Sequence, residues 1–78
     1  MPTLLRGGAY RFFFVSHDLP EPPHVHVQRE RLVAKFWLDP VVLQKAGGFQ
    51  PHELNKIGDL VREHRDLFLE RWHEYFDT

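Results

Sequence analysis

Seventy-eight residues suffice for one small domain and little more. Ten basic and eleven acidic side chains give a formal charge of −1, which argues against a broadly basic nucleic-acid binder but leaves room for a local basic patch. The absence of cysteine removes disulfides and thiolate metal sites, and no apolar run approaches the ~20 residues that span a bilayer.

In chain order, residues 1–8 read as a short leader that lacks the basic start and apolar run of a signal peptide, so a cytoplasmic location is expected. Residues 9–16 are the first expected strand. Tyr10, Phe12 and Phe14 face one way and Arg11, Phe13 and Val15 the other, because side chains alternate along a strand. Both faces carry phenylalanine, so two covers are expected: this chain's own helix and, on the other side, a second chain.

Residues 16–21 form a loop that runs into Pro20-Glu21-Pro22-Pro23. Prolines fix φ, donate no hydrogen bond and push their predecessors towards extended geometry. They stiffen the approach to a second strand, 24–28, in which His24 and His26 share one face and Val25 and Val27 the other. Arg29-Glu30-Arg31 is expected as a solvated hairpin tip, followed by a third strand at 32–38 with Leu32, Ala34, Phe36 and Leu38 on one face.

Residues 41–46 fit either a one-turn helix capped by Asp39 or a short edge strand, with the strand preferred. Gly47-Gly48 is a hinge. Residues 51–76 predict a long amphipathic helix opened by Pro51 at N1, with Glu53 in the first turn. Its apolar stripe runs through Leu54, Ile57, Val61, His64, Phe68, Arg71 and Tyr75 and is widened by Leu60, Leu67 and Trp72. An Arg62–Asp66 pair is expected on the wet side, and Gly58 is a weak point that lets the helix approach the sheet closely. The expected fold is α+β: one domain over 1–78, with a small antiparallel β-meander of three to four strands (9–46) packed against one long C-terminal α-helix.

The chemistry of the chain centres on His24 and His26. Two imidazoles on one face can exchange protons with a phosphodiester, with Lys35 on the neighbouring strand stabilising the developing negative charge. The same pair can supply two nitrogens to zinc or another divalent metal, with Asp18, and His17 beside it, as further ligands. Against both stands a plain solvated face bearing two polar residues. His64 on the helix stripe is read as a histidine bonded to the backbone, or as one that meets His24 or His26 across the interface. Trp37 and Trp72 are read as core or interface anchors.

Ser16-His17-Asp18, Pro22-Pro23-His24-Val25-His26-Val27, Ala34-Lys35-Phe36-Trp37-Leu38-Asp39-Pro40 and Glu63-His64-Arg65 to Trp72 together resemble a family of short prokaryotic proteins, domain of unknown function 4160. The resemblance runs from about Tyr10 to Phe76. Two details depart from it: His17 stands where relatives often carry Asn, and the 29–31 tip replaces a more glycine-rich one. The resemblance implies a β-meander backed by a C-terminal helix and no established activity. It also implies a neighbouring small gene in a toxin–antitoxin-like pair. The expected function is therefore one component of such a module, acting on or near RNA, with the adjacent gene's product as partner and a homo-oligomer as a further possibility. The alternatives are a metal- or small-ligand-binding module and a pure protein-interaction subunit.

Overall fold

The structure is a computed structural model that describes residues 3–15 and 20–76. Five antiparallel strands lie in sequence order, β1 (Thr3–Gly7), β2 (Tyr10–Phe13), β3 (His24–Arg29), β4 (Leu32–Leu38) and β5 (Val41–Lys45), followed by α1 (Pro51–Glu63) and α2 (Arg65–Phe76). The meander and the α+β class agree with the sequence reading. The number of strands and the single helix do not.

The first correction is β1. Thr3–Gly7 pairs with β2, Gly7 opposite Tyr10, so Gly8 and Ala9 form a two-residue hairpin loop with Gly8 at φ 60°. What looked like a leader is an edge strand. A register shift between Thr3 and Leu5 breaks its alternation, which hides it from a period-two search. Residues 41–45 are the edge strand at the other end of the sheet, joined to β4 through Asp39 and a cis Pro40.

The second correction is the helix, which breaks at His64 (φ −104°, ψ 12°). The His64 Nδ1–H donates to the Leu60 carbonyl at 2.9 Å, the acceptor that the His64 backbone N–H also uses at 3.1 Å. Side-chain bonding to the carbonyl four residues back competes with the helix ladder and bends it. Beyond the break, Arg65 donates through Nε to the Leu38 carbonyl (2.9 Å) and through a terminal nitrogen to Asp39 Oδ1 (2.7 Å), pinning the start of α2 to the end of β4. The inward residues of α2 are Phe68 and Trp72, while Arg71 and Tyr75 face out. Arg62 bonds Asp59, and Asp66 bonds Arg65, so the expected Arg62–Asp66 pair does not form.

The core lies between the helices and one face of the sheet. Tyr10, Phe12, Phe14, Val25, Val27, Ala34, Phe36 and Leu38 meet Ile57, Val61, Phe68 and Trp72. Phe12 stacks on Phe68 (ring centroids 5.4 Å) and Phe14 meets Trp72 edge-on (5.2 Å). Arg29, expected at a solvated tip, instead faces the helices and forms a two-bond pair with Glu53, whose carboxylate also accepts the Tyr10 hydroxyl at 2.7 Å. The hairpin tip is Glu30-Arg31, with Glu30 at φ 56°. No helix among the described residues is long and apolar enough to cross a membrane.

Candidate functional site on the outer face of the sheet

Residues directly opposite one another in antiparallel strands point to the same face, so the strand pairing assigns the surface that the helices leave uncovered. One row crosses Arg6, Arg11, Gln28 and Val33, the next crosses Phe13, His26, Lys35 and Lys45, and a third joins His24, Trp37 and Val42. His24 and His26 therefore project together, as the alternation predicts, and their rings sit edge to face with centroids 5.2 Å apart.

The proline lead-in positions His24 through its carbonyls. The Pro22 carbonyl accepts the His24 Nδ1–H at 2.9 Å, and the Pro23 carbonyl accepts the Leu38 N–H at 3.0 Å, extending the β3–β4 ladder backwards. His24 has no exposed surface. Its ring stands edge-on to Trp37 (5.6 Å) and lies 5.1 Å from Trp72, and the Glu21 carboxylate is 3.8 Å from its Nδ1. His26 is half-buried, stacked on Phe13 at 5.3 Å with the planes 22° apart. It is the imidazole of the pair with surface open to solvent.

Lys35 lies across from His26, with its ammonium 5.0 Å from the Trp37 ring and paired with the Glu21 carboxylate. The Arg11 guanidinium sits over Phe13 at 4.2 Å. Phe13 is only 6% exposed, so its cover comes from this chain and the reason to expect a second chain over it disappears. Trp72 is a core residue, whereas Trp37 belongs to the outer face.

Of the remaining candidates, Asp18 and His17 lie outside the described residues. Among the described residues no group of three or more His, Asp or Glu gathers as a metal site. His64 bonds the Leu60 carbonyl, and its ring neighbour is Phe68 at 5.9 Å, which matches the backbone-bonded reading.

Two features escaped the sequence reading. One is the set of cations on the outer face, two in each of two adjacent rows: Arg6 lay in the supposed leader and Lys45 in a segment of open assignment, so Arg6 could not be placed across from Arg11 nor Lys45 across from Lys35. A Gly-Gly step between Leu4-Leu5 and the phenylalanine run was the available hairpin signal. The other is the Arg29–Glu53–Tyr10 cluster, whose members lie 43 positions apart at the extreme. The hydrogen bond from Arg29, and then that from Tyr10, hold the Glu53 carboxyl below its usual range. Burial, and then the bond to Glu53, push the Tyr10 hydroxyl up.

A five-stranded sheet with an aromatic, cationic outer face and a helical back defines a small α+β domain. Residues 9–73 match the model of Domain of unknown function (DUF4160), and the chain belongs to that family. No curated protein and no solved structure matches it.

Proposed function

We propose that the chain is one component of a toxin–antitoxin-like two-gene module and that the outer face of its sheet works on or beside RNA. One observation carries the reading: the five strands hold five basic residues and no acidic one, whereas six of the acidic residues lie on the two helices. Within a formal charge of −1 the strands therefore carry +5, while the helices, which also hold Lys56, Arg62, Arg65 and Arg71, carry −2.

Of the strand cations, Arg6, Arg11, Lys35 and Lys45 lie on the outer face, and Arg6, Arg11 and Lys45 have no carboxylate partner among the described residues. Single-stranded RNA is held by surfaces that set cations for phosphates beside rings for bases. His26 and Trp37, each partly exposed, supply such rings, with Phe13 buried beneath His26. In any cleavage step His26 is the ring that exchanges a proton with substrate, with His24 enclosed behind it and Lys35 directly across. The family membership carries the expectation of a small neighbouring gene whose product is the partner.

The test is anisotropy of a labelled single-stranded oligoribonucleotide with the intact chain at roughly 50 and 200 mM salt. Three to four phosphate contacts give a slope of log K against log salt of about −2 to −3, and Arg6→Ala/Arg11→Ala/Lys45→Ala removes most of it. Absence of binding at the lower salt overturns the RNA reading. Co-expression with the adjacent gene's product, scored for growth and for complex formation, tests the module.

A second reading, a protein-interaction subunit, is favoured by β5. It is an edge strand whose Val42 and Leu43 are 50% and 40% exposed, a surface suited to strand addition by a partner. The metal reading keeps His24 and His26 and needs a third ligand such as Asp18.

A further inference from the structure

On the helix side of the sheet, away from the cationic face, an open groove of about 560 Å³ runs between the β1–β2 hairpin and α1. Leu5 and Leu60 give it apolar walls with the buried Phe12 behind them, Gly7 and Gly8 form part of its rim, and His64, at the helix break, borders it. A Cβ added at either glycine would meet nothing within 4 Å, so the hairpin leaves the mouth unobstructed. The volume falls within the range of small-molecule sites, about 300–1,000 Å³.

The charge at the rim is specific. Arg29 lines the groove, but its guanidinium is matched by Glu53. Lys56 also lines it and has no carboxylate partner among the described residues. The carboxylates one helical turn to either side are already committed, Glu53 to Arg29 and Asp59 to Arg62. The Lys56 ammonium instead hovers 5.9 Å from the Tyr10 ring. An apolar trough with one unmatched ammonium at its edge is complementary to an apolar body bearing one negative group.

We propose that this groove binds a small apolar carboxylate, with the hydrocarbon or aromatic body against Leu5 and Leu60 and the carboxylate on Lys56. The site is independent of the RNA reading, since none of these residues belongs to the outer rows of the sheet.

Octanoate and 4-phenylbutyrate, each paired with its neutral alcohol, are titrated into the intact chain while backbone amide resonances are followed. At least one acid shifts amides of the 7–10 hairpin together with Lys56, Leu60 and His64, with a dissociation constant of about 1 mM or tighter. Its alcohol binds at least about fivefold more weakly, a modest ion-pair contribution for an exposed site. Lys56→Gln abolishes that preference and Lys56→Arg retains it. No shifts with either acid at several millimolar, shifts that map elsewhere, or an unchanged acid preference in Lys56→Gln overturns the proposal.

Discussion

Arg29 and Glu53 grip each other through two hydrogen bonds, Nε to Oε2 at 2.6 Å and a terminal nitrogen to Oε1 at 2.8 Å, joining the last residue of β3 to the first turn of α1. Tyr10 completes the cluster from β2, donating its hydroxyl to the same carboxylate. Three elements far apart in sequence are thereby fixed at one corner of the helix–sheet interface. The Gln50 side chain makes no capping bond, so the entry of α1 relies on Pro51, on the Gln50 carbonyl and on this cluster.

That corner predicts opposite pH responses from two of its members. Glu53 titrates below its ordinary value of 4.5 in the fold, so its contribution is complete above that pH and is lost as pH falls through the depressed value. Tyr10 titrates above 10.0, so its contribution is complete below that pH and is lost as pH climbs through the raised value. Melting temperatures across pH should show a shallower acid limb for Glu53→Gln and a shallower alkaline limb for Tyr10→Phe. An acid limb unchanged in Glu53→Gln would show that other carboxylates control it.

Phe12 and Phe68 stack at the centre of the core, and both are fully buried. Phe68→Ala leaves a cavity that the sheet cannot collapse to fill, and is expected to cost about 3–5 kcal/mol in urea unfolding. In a domain this small, such a loss approaches the whole stability.

The turns separate substitutions that look alike. Gly47 has φ 65° and an added Cβ would collide with the Val33 carbonyl, so Gly47→Ala forces the backbone to move. Gly8 has φ 60° but open space, so Gly8→Ala carries only the left-handed cost of about 1–2 kcal/mol. At Gly58 a Cβ would lie 3.3 Å from the flexible end of Arg62 and 3.6 Å from Phe36, so the helix does not require glycine there and Gly58→Ala is expected to gain up to about 1 kcal/mol. Glu30 occupies φ 56° without being glycine, and Glu30→Gly should stabilise by about 0.5–1 kcal/mol. Denaturant midpoints should rank Glu30→Gly and Gly58→Ala above the parent, Gly8→Ala below it and Gly47→Ala lowest.

The two histidines should part company on substitution. His24 is enclosed between Trp37 and Trp72, so His24→Ala lowers the melting temperature. His26 packs against Phe13 from a half-exposed position, so His26→Ala keeps the fold while abolishing growth arrest if the imidazole does the work. A His24→Ala/His26→Ala chain that still arrests growth would eliminate the histidine mechanism.

Much of this was legible because it depends on local periodicity. Alternation along 24–28 and 32–38 placed Val25, Val27, Ala34, Phe36 and Leu38 on the core face and the two imidazoles on the other. The Pro22-Pro23 step marked a rigid entry, and the family motif spans those same residues. β1 was missed because a bulge disrupts its alternation, and the helix break because His64 fits the apolar spacing while its ring takes the Leu60 carbonyl.

The chain by itself determined which residues lie on which side of each strand, since that depends only on counting by twos along an extended backbone. Only the tertiary structure decided the register between the strands and set β1 beside β2. That brought Arg6, Arg11, Lys35 and Lys45 onto one face, carried Arg29 to Glu53, and left Lys56 alone over a groove. Charges distant in sequence become neighbours through strand register and helix docking, which no local pattern encodes.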